Sequence, residues 1–309
     1  MSAVIQDVAA QCEVRVDYAA LTGESPVWSA LEQRLYWIDI QQPALHRFDP
    51  ASGRDEHWLL PAQIGCYALD PEGTRVILGL RPGIFEFSLR TGALQPLAAA
   101  PYDPALFRFN DGGCDSMGRF WLGTMFDPVD KRHAGEKARG QYHSYTESTG
   151  LVAHSDAAVI ANGVAWDSDY RRLYIAHSEE GVIYAFDYDI TSGQPGGRRV
   201  FATVPPKLGV PDGGAVDAEG GYWSAINGGG RLRRFHADGR HDRDLLLPVS
   251  KPTMCAFGGP HLDTLYVTSQ SDGLTAEQRA AQPLAGKLLS FTPGVRGLPT
   301  AAFGAVHRI

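Results

Sequence analysis

The chain reads as an all-β protein, a six-bladed β-propeller, and three observations carry that expectation. Its 35 Gly and 20 Pro divide it into many short runs rich in Val, Ile, Tyr, Trp and Phe. No stretch holds the 3.6-residue apolar period of a long amphipathic helix. One kind of segment also recurs, a polar turn followed by a similar apolar run: SALEQRLYWIDI from Ser29, DPEGTRVILGL from Asp70, DSMGRFWLGTM from Asp115, DSDYRRLYIAH from Asp167, DAEGGYWSAIN from Asp217 and GGPHLDTLYVTS from Gly258.

Each recurrent segment is one hairpin around a polar tip. Four of them are followed by a second hairpin-like stretch: ALHRFDPASGR, GIFEFSLRTGA, VIYAFDYDITSG and RLRRFHADGR. Two hairpins per repeat of about 40–50 residues, six times over, is the arithmetic of six four-stranded blades. The N-terminal run CEVRVDYAAL has no partner of its own. It is expected to supply the outer strand of the last blade, closing the ring so that no sheet edge stays open. A β-sandwich with insertions is the alternative, and it leaves the recurrence unexplained. On this reading residues 1–309 form one propeller domain.

Composition narrows the partners. Apolar residues make up 44%, enough for a sizeable core, and 28 basic against 35 acidic residues give a formal charge of −7. With no basic block, the balance argues against nucleic acid or an anionic membrane. Cys12, Cys66, Cys114 and Cys255 lie far apart and form no CxxC pair, so reduced thiols are expected rather than a disulfide framework or a cysteine zinc site. The opening MSAVIQDVAAQCEV has neither a positive n-region nor a long apolar run, and no segment reaches membrane-spanning length. A cytoplasmic protein is expected; no feature indicates the oligomeric state, and a monomer is compatible with the sequence.

The core position of each repeat serves as a ruler: Tyr36, Ile77, Trp121, Tyr174, Trp223 and Tyr266. Eleven to thirteen residues upstream stand Glu24, Gly65, Asn110, Asn162, Asp212 and Thr253. In a propeller these positions start the innermost strands, which line the central channel, so their side chains converge near the axis. Four of the six are oxygen donors, in the contexts GESPVW, RFNDGG, ANGVAW and VPDGGAVD. The hairpin tips lie elsewhere, in DPASG, DPEG, DSMG, DAEG and HADG. A plain chain reversal also gives no reason for Glu at the same place in the first repeat, where no Gly follows.

Two carboxylates and two amide oxygens make a hard oxygen site. Calcium is the first expectation, with magnesium, manganese or iron(II) as alternatives. The set holds no His or Cys, which disfavours zinc without removing it from the possible cations. In FRFNDGG, Arg108 and Asn110 share one face of an extended strand, and Asp111-Gly112 shapes the bend into the channel. The ten histidines form no metal-ligand spacing; they are read as packing or surface residues, His177 being the one at a strand end near the channel. NGGG at Asn227 lacks the Lys-Ser/Thr and helix of a phosphate loop and is read as a tight connection. The charged stretch 126–141 is read as a solvated loop, with a substrate lid as the alternative.

In combination, LTGESPVW with WIDI, FNDGG with DSMGRFWLGTM, ANGVAW and VPDGGAVD resemble the gluconolactonase, regucalcin (senescence marker protein) and luciferin-regenerating enzyme family, from Leu21 to Phe291. The later stretch KPTMCAFGGPHLDTLYVTSQSDGLTAEQ is similar to bacterial aldonolactonases. The resemblance implies a six-bladed propeller with one divalent metal in its channel, held by Glu24, Asn162 and Asp212. It also implies Arg108 and Asn110 as substrate contacts. Some relatives carry Glu shortly after the GTM motif as a further substrate contact; here Asp127 stands nearby and Pro128 takes the aligned place.

The expected reaction is metal-dependent hydrolysis of an aldono-1,4- or 1,5-lactone, such as a pentono- or gluconolactone, in sugar catabolism. Asp212, a carboxylate at a channel position, is the candidate general base, with a role as pure ligand the alternative. A hydrolase of other lactones or phosphotriesters, and a calcium-binding regulatory protein, are the competing functions.

Overall fold

The computed structural model describes residues 4–133, 135–154 and 158–307. Their strands form six sheets, each ordered from an inner to an outer strand, and the sheets stand around an axis as a six-bladed propeller. The inner strands are Gly23–Ser29, Ile64–Leu69, Phe107–Cys114, Ala161–Trp166, Val210–Val216 and Pro252–Gly258. Neighbouring inner strands pack against one another around the whole ring. The sole α-helix among the described residues is the short Ala276–Ala281, and no helix is long and apolar enough to cross a membrane.

Local chemistry explains where the chain turns. Asp70, Asp115, Asp167 and Asp217 close the first hairpin of their blades by accepting backbone N–H groups across the tip. Gly73, Gly118 and Gly220 take the positive φ that these tips require. Between the tips, the ruler residues Tyr36, Ile77, Trp121, Tyr174, Trp223 and Tyr266 all fall on the second strand of a blade and are buried. The core runs round the ring as clusters that join neighbouring blades: Tyr36 and Ile38 meet Tyr67 and Leu78, and Tyr174 meets Tyr222.

The ring closes as expected from the sequence. Glu13–Val16 pairs antiparallel with Leu288–Phe291 and becomes the outer strand of the sixth blade. Trp28 of the first blade stacks on Tyr266 of the sixth. An addition not read from the sequence is the strand Val4–Asp7, which lies parallel to His241–Leu246 as a fifth strand of the fifth blade. The N-terminal segment thus ties two blades together. After Phe291 the tail crosses the far end of the channel, held by backbone hydrogen bonds to Leu262, Leu69 and Gly118. Its residues Leu298–Ala301 cover a chamber of about 150 Å³ at that end.

Every inner strand breaks register close to the ruler positions: between Glu24 and Val27, Ile64 and Cys66, Phe109 and Gly112, Asn162 and Ala165, Pro211 and Gly214, and Pro252 and Met254. Bulges of this kind re-aim side chains, and here they recur where the chain reaches the axis. The second blade is the exception in side chain, because a Cβ on Gly65 would lie 2.1 Å from the Phe109 carbonyl oxygen. Glycine there lets the third blade's inner strand approach. Gly65→Ala is therefore expected to cost about 1–3 kcal/mol of stability through overpacking. Urea unfolding measures it; an unchanged midpoint would show that the two inner strands are not in close contact.

Candidate functional site

Glu24, Asn162 and Asp212 enter the axis from the first, fourth and fifth blades and are 7%, 4% and 9% exposed. Arg108 and Asn110 reach the same place from the third blade. With Thr253 these side chains line one cavity of about 300 Å³ that opens at the end away from the tail. Gly65, lacking a side chain, contributes nothing to it. The cavity wall is completed by Thr22, Gln41, Ser178, Asn227 and Gln270, and by the apolar Ile40, Met125, Ile160 and Val210.

A directional series of hydrogen bonds fixes one side of the site. Arg108 donates through Nε to Asp127 (2.9 Å) and through Nη1 to the Asn110 Oδ1 (2.7 Å). Asn110 Nδ2 donates to Asn162 Oδ1 (2.7 Å), and Asn162 Nδ2 donates to the Ser178 hydroxyl (2.9 Å). The Nη2 of Arg108 has no hydrogen-bond partner among the described residues. Asp127 is anchored from behind by Arg81, whose Nη2 lies 2.7 Å from the same carboxylate oxygen. Arg81 also donates to Gln63 and to the carbonyls of Pro104, Phe107 and Asp127.

Opposite charge is scarce at the axis, and the carboxyl groups register it. Burial, then the neighbouring Asp212 and Asp111, push Glu24 well above the usual carboxylate range, although the Ser25 N–H and Arg108 oppose this. Burial likewise raises Asp212 to about 7, against a hydrogen bond from Asn227 (3.0 Å) that favours its charge. Asp111, which the sequence suggested only as a bend former, is a third buried carboxyl. Burial raises it to about 6 while the N–H groups of Val164, Gly112 and Gly163 favour its ionised form. Clustered, desolvated oxygen donors with raised carboxyls fit a hard divalent cation, whose charge would offset both burial and mutual repulsion.

His177 does not line the cavity; it bonds Glu180 and meets the edge of Tyr184. The 126–141 stretch is tied to the fourth blade by the ion pairs Lys137–Glu179 and Arg139–Glu180. NGGG is a tight connection, with Gly228 at positive φ, and Asn227 at its head also reaches the site. A separate grouping of His46, Asp55 and His57 lies on the outer strands of the first blade. There His46 stacks on Trp37 at 4.0 Å and on His57 at 5.2 Å, and Asp55 accepts from Trp37 while pairing with His46. Imidazoles stacked face to face do not aim their lone pairs at a common point, so this grouping is a packing stack.

Comparison with known proteins gives a consistent picture. The family model described as the SMP-30/Gluconolactonase/LRE-like region matches residues 22–271. A 6-deoxy-6-sulfogluconolactonase of Pseudomonas putida is 37% identical over 95% of this chain and 98% of its own. Regucalcin of Gallus gallus is 34% identical over 91% of this chain and 94% of its own. The crystal structure of a calcium-binding regucalcin from Agrobacterium tumefaciens superposes with a TM-score of 0.88 at 25% identity, covering 100% of both chains.

The raised carboxyls carry a stability consequence. Between about pH 4 and pH 7 the unfolded chain releases protons from Asp and Glu that folded Asp212 and Glu24 retain, so metal-free folded protein loses stability as pH rises through that window. At pH 7.5 and with chelator present, Asp212→Asn is expected to raise the melting temperature by about 2–6 °C. The gain should shrink at pH 5, and the rise that calcium gives the parent should be lost. A chelated variant that melts below the parent at pH 7.5 would show that Asp212 is not a repulsive buried carboxyl.

Proposed function

The chain belongs to the SMP-30/gluconolactonase/LRE-like family, and from that premise we propose that it is a metal-dependent lactonase that opens a sugar lactone to the aldonic acid. The observation that carries this reading is the pairing of a buried oxygen-donor cluster, Glu24, Asn162 and Asp212, with an arginine-asparagine wall in one open cleft. The relative from Pseudomonas putida, a sulfogluconolactonase, supports the reaction class. The calcium-binding relative supports a divalent cation.

Lactone hydrolysis needs an electrophilic carbonyl, an activated water and stabilisation of an oxyanion. Glu24, Asn162 and Asp212 would hold the cation, which when bound supplies Lewis-acid polarisation of the ester. Asp212 accepts a proton from the attacking water as the water oxygen bonds to the carbonyl carbon. The acyl bond to the ring oxygen then breaks, and the departing oxygen takes the proton back. Asn227 holds the Asp212 carboxylate during both transfers through its 3.0 Å hydrogen bond. Arg108 offers Nη2 to substrate oxygen, while its bonds to Asp127 and Asn110 keep the guanidinium from turning away. Ser178, by accepting from Asn162 Nδ2, keeps the amide oxygen of Asn162 facing inward.

A calcium-binding regulatory role is the second reading, favoured by the similarity to regucalcin. Turnover separates the two. Acid release is followed with a panel of pentono- and hexonolactones, before and after chelation and after return of calcium, magnesium, manganese or iron(II). Chelation and Glu24→Gln are each expected to lower turnover at least about 100-fold, and Asp212→Asn by about 10²–10⁴. Calcium binding without turnover of any lactone under any metal would overturn the lactonase reading in favour of the regulatory one.

A further inference from the structure

The cleft has two unlike walls. Arg108 and Asn110 stand on the third blade, and in a ring of six the sixth blade lies directly across the axis. There Gln270, next after the second strand Thr264–Ser269, lines the cleft and pairs with Thr22 of the first blade through an isolated β-bridge. Gln41 follows on the first blade. Every charged residue lining the cleft, Glu24, Arg108 and Asp212, belongs to the cluster already described. The wall formed by Gln270, Thr22 and Gln41 is uncharged.

These three side chains keep unused hydrogen-bonding capacity. Gln270 accepts from Asn227 through Oε1 at 3.4 Å, and Gln41 accepts from Gln63 through Oε1 at 2.8 Å. Neither Nε2 has a partner among the described residues, and the Thr22 hydroxyl has none either. Their backbones are nevertheless fixed. The buried Asp39 carboxylate accepts the N–H groups of Leu21, Thr22, Gln41 and Gln42. Gln270 N–H donates to Lys251, and Ser271 and Asp272 donate to the Leu21 carbonyl. Neutral donors on a rigid frame suit neutral oxygen acceptors, and a site built to bond hydroxyls rejects analogues that lack them.

We propose that Gln270, Gln41 and Thr22, on the sixth- and first-blade side of the cleft, form a hydroxyl-reading wall that takes the polyhydroxylated portion of the substrate. The proposal rests on the lactonase reading and adds to it which side chains of the cleft read the sugar's hydroxyls. The wall sets preference among lactones and takes no part in the proton transfers.

Unreactive lactams test it separately from turnover. Binding of a hexonolactam and of bare δ-valerolactam to calcium-loaded protein is measured by calorimetry, for the parent, Gln270→Leu and Gln41→Leu. The parent is expected to prefer the polyhydroxylated ring at least about 100-fold, and each variant to reduce that preference about 5–20-fold. A preference unchanged in both variants, an equal loss for both lactams, or no binding of the hexonolactam to the parent would overturn the proposal. Preference for hydroxyls with no lactone turnover would remove the lactonase reading and leave the wall. Turnover with an unaltered preference would do the reverse.

Discussion

Three carboxyl groups buried around one axis set the terms for the rest of this molecule. Glu24, Asp111 and Asp212 crowd together where water screens them little, and burial is the largest cause of the rise in each. The fold compensates with backbone N–H groups at the bulges: Ser25 donates to Glu24, and Gly112 and Val164 donate to Asp111. A bulge frees an N–H that a regular ladder would have used. The same irregularity that turns each side chain inward thus supplies part of its solvation. What remains uncompensated is negative charge, which a bound cation would offset.

Such a cluster survives only if the ring around it resists opening. Loosening one blade would let the carboxylates separate and hydrate, a relaxation that favours disassembly of the site. Closure therefore matters chemically as well as topologically. Glu13–Val16 completes the sixth blade, Val4–Asp7 extends the fifth, and the tail binds backbone of the second, third and sixth blades across the far end. The tail thus narrows the far end of the channel, opposite the cleft that Glu24, Asn162 and Asp212 line.

Much of this was legible in the sequence, and the limits have physical causes. Periodicity located the blades because a hairpin repeat imposes its own spacing, and the offset from each core residue found Glu24, Gly65, Asn110, Asn162, Asp212 and Thr253 on the inner strands. Strict alternation puts Asp111 on the face opposite Asn110, so in the sequence it reads only as a bend former, whereas the bulge after Phe109 breaks alternation there. The lip of the cleft escaped for a different reason. Ile40, Arg81, Ser178 and Gln270, like the Asp127 that the sequence places beside Pro128, each follow the last residue of a blade's second strand. A second ruler at that place would have found them, but their types share no chemistry that draws the eye as paired oxygen donors do. The N-terminal fifth strand and the tail are single events outside the repeat, so periodicity holds no information about them.

The lip also shows what replaces the acidic contact that the sequence lacks. Asp127 stands beside the position that Pro128 occupies, and Arg81 and Arg108 share one oxygen of its carboxylate. Arg81 is held by carbonyls, Gln63 and Asp127 and does not line the cleft, which leaves Arg108 Nη2 as the available cationic donor on that side. On the first and sixth blades the unused groups are the amide donors of Gln41 and Gln270. A ligand entering here therefore meets N–H groups on both walls and apolar contacts from Ile40, Met125, Ile160 and Val210 between them. Recognition in such a cleft reads where a ligand's oxygens lie more than where its hydroxyl protons point. An ester carbonyl near the carboxylate cluster and hydroxyl oxygens toward the mouth match that pattern, and a ligand without the latter leaves the far wall to water.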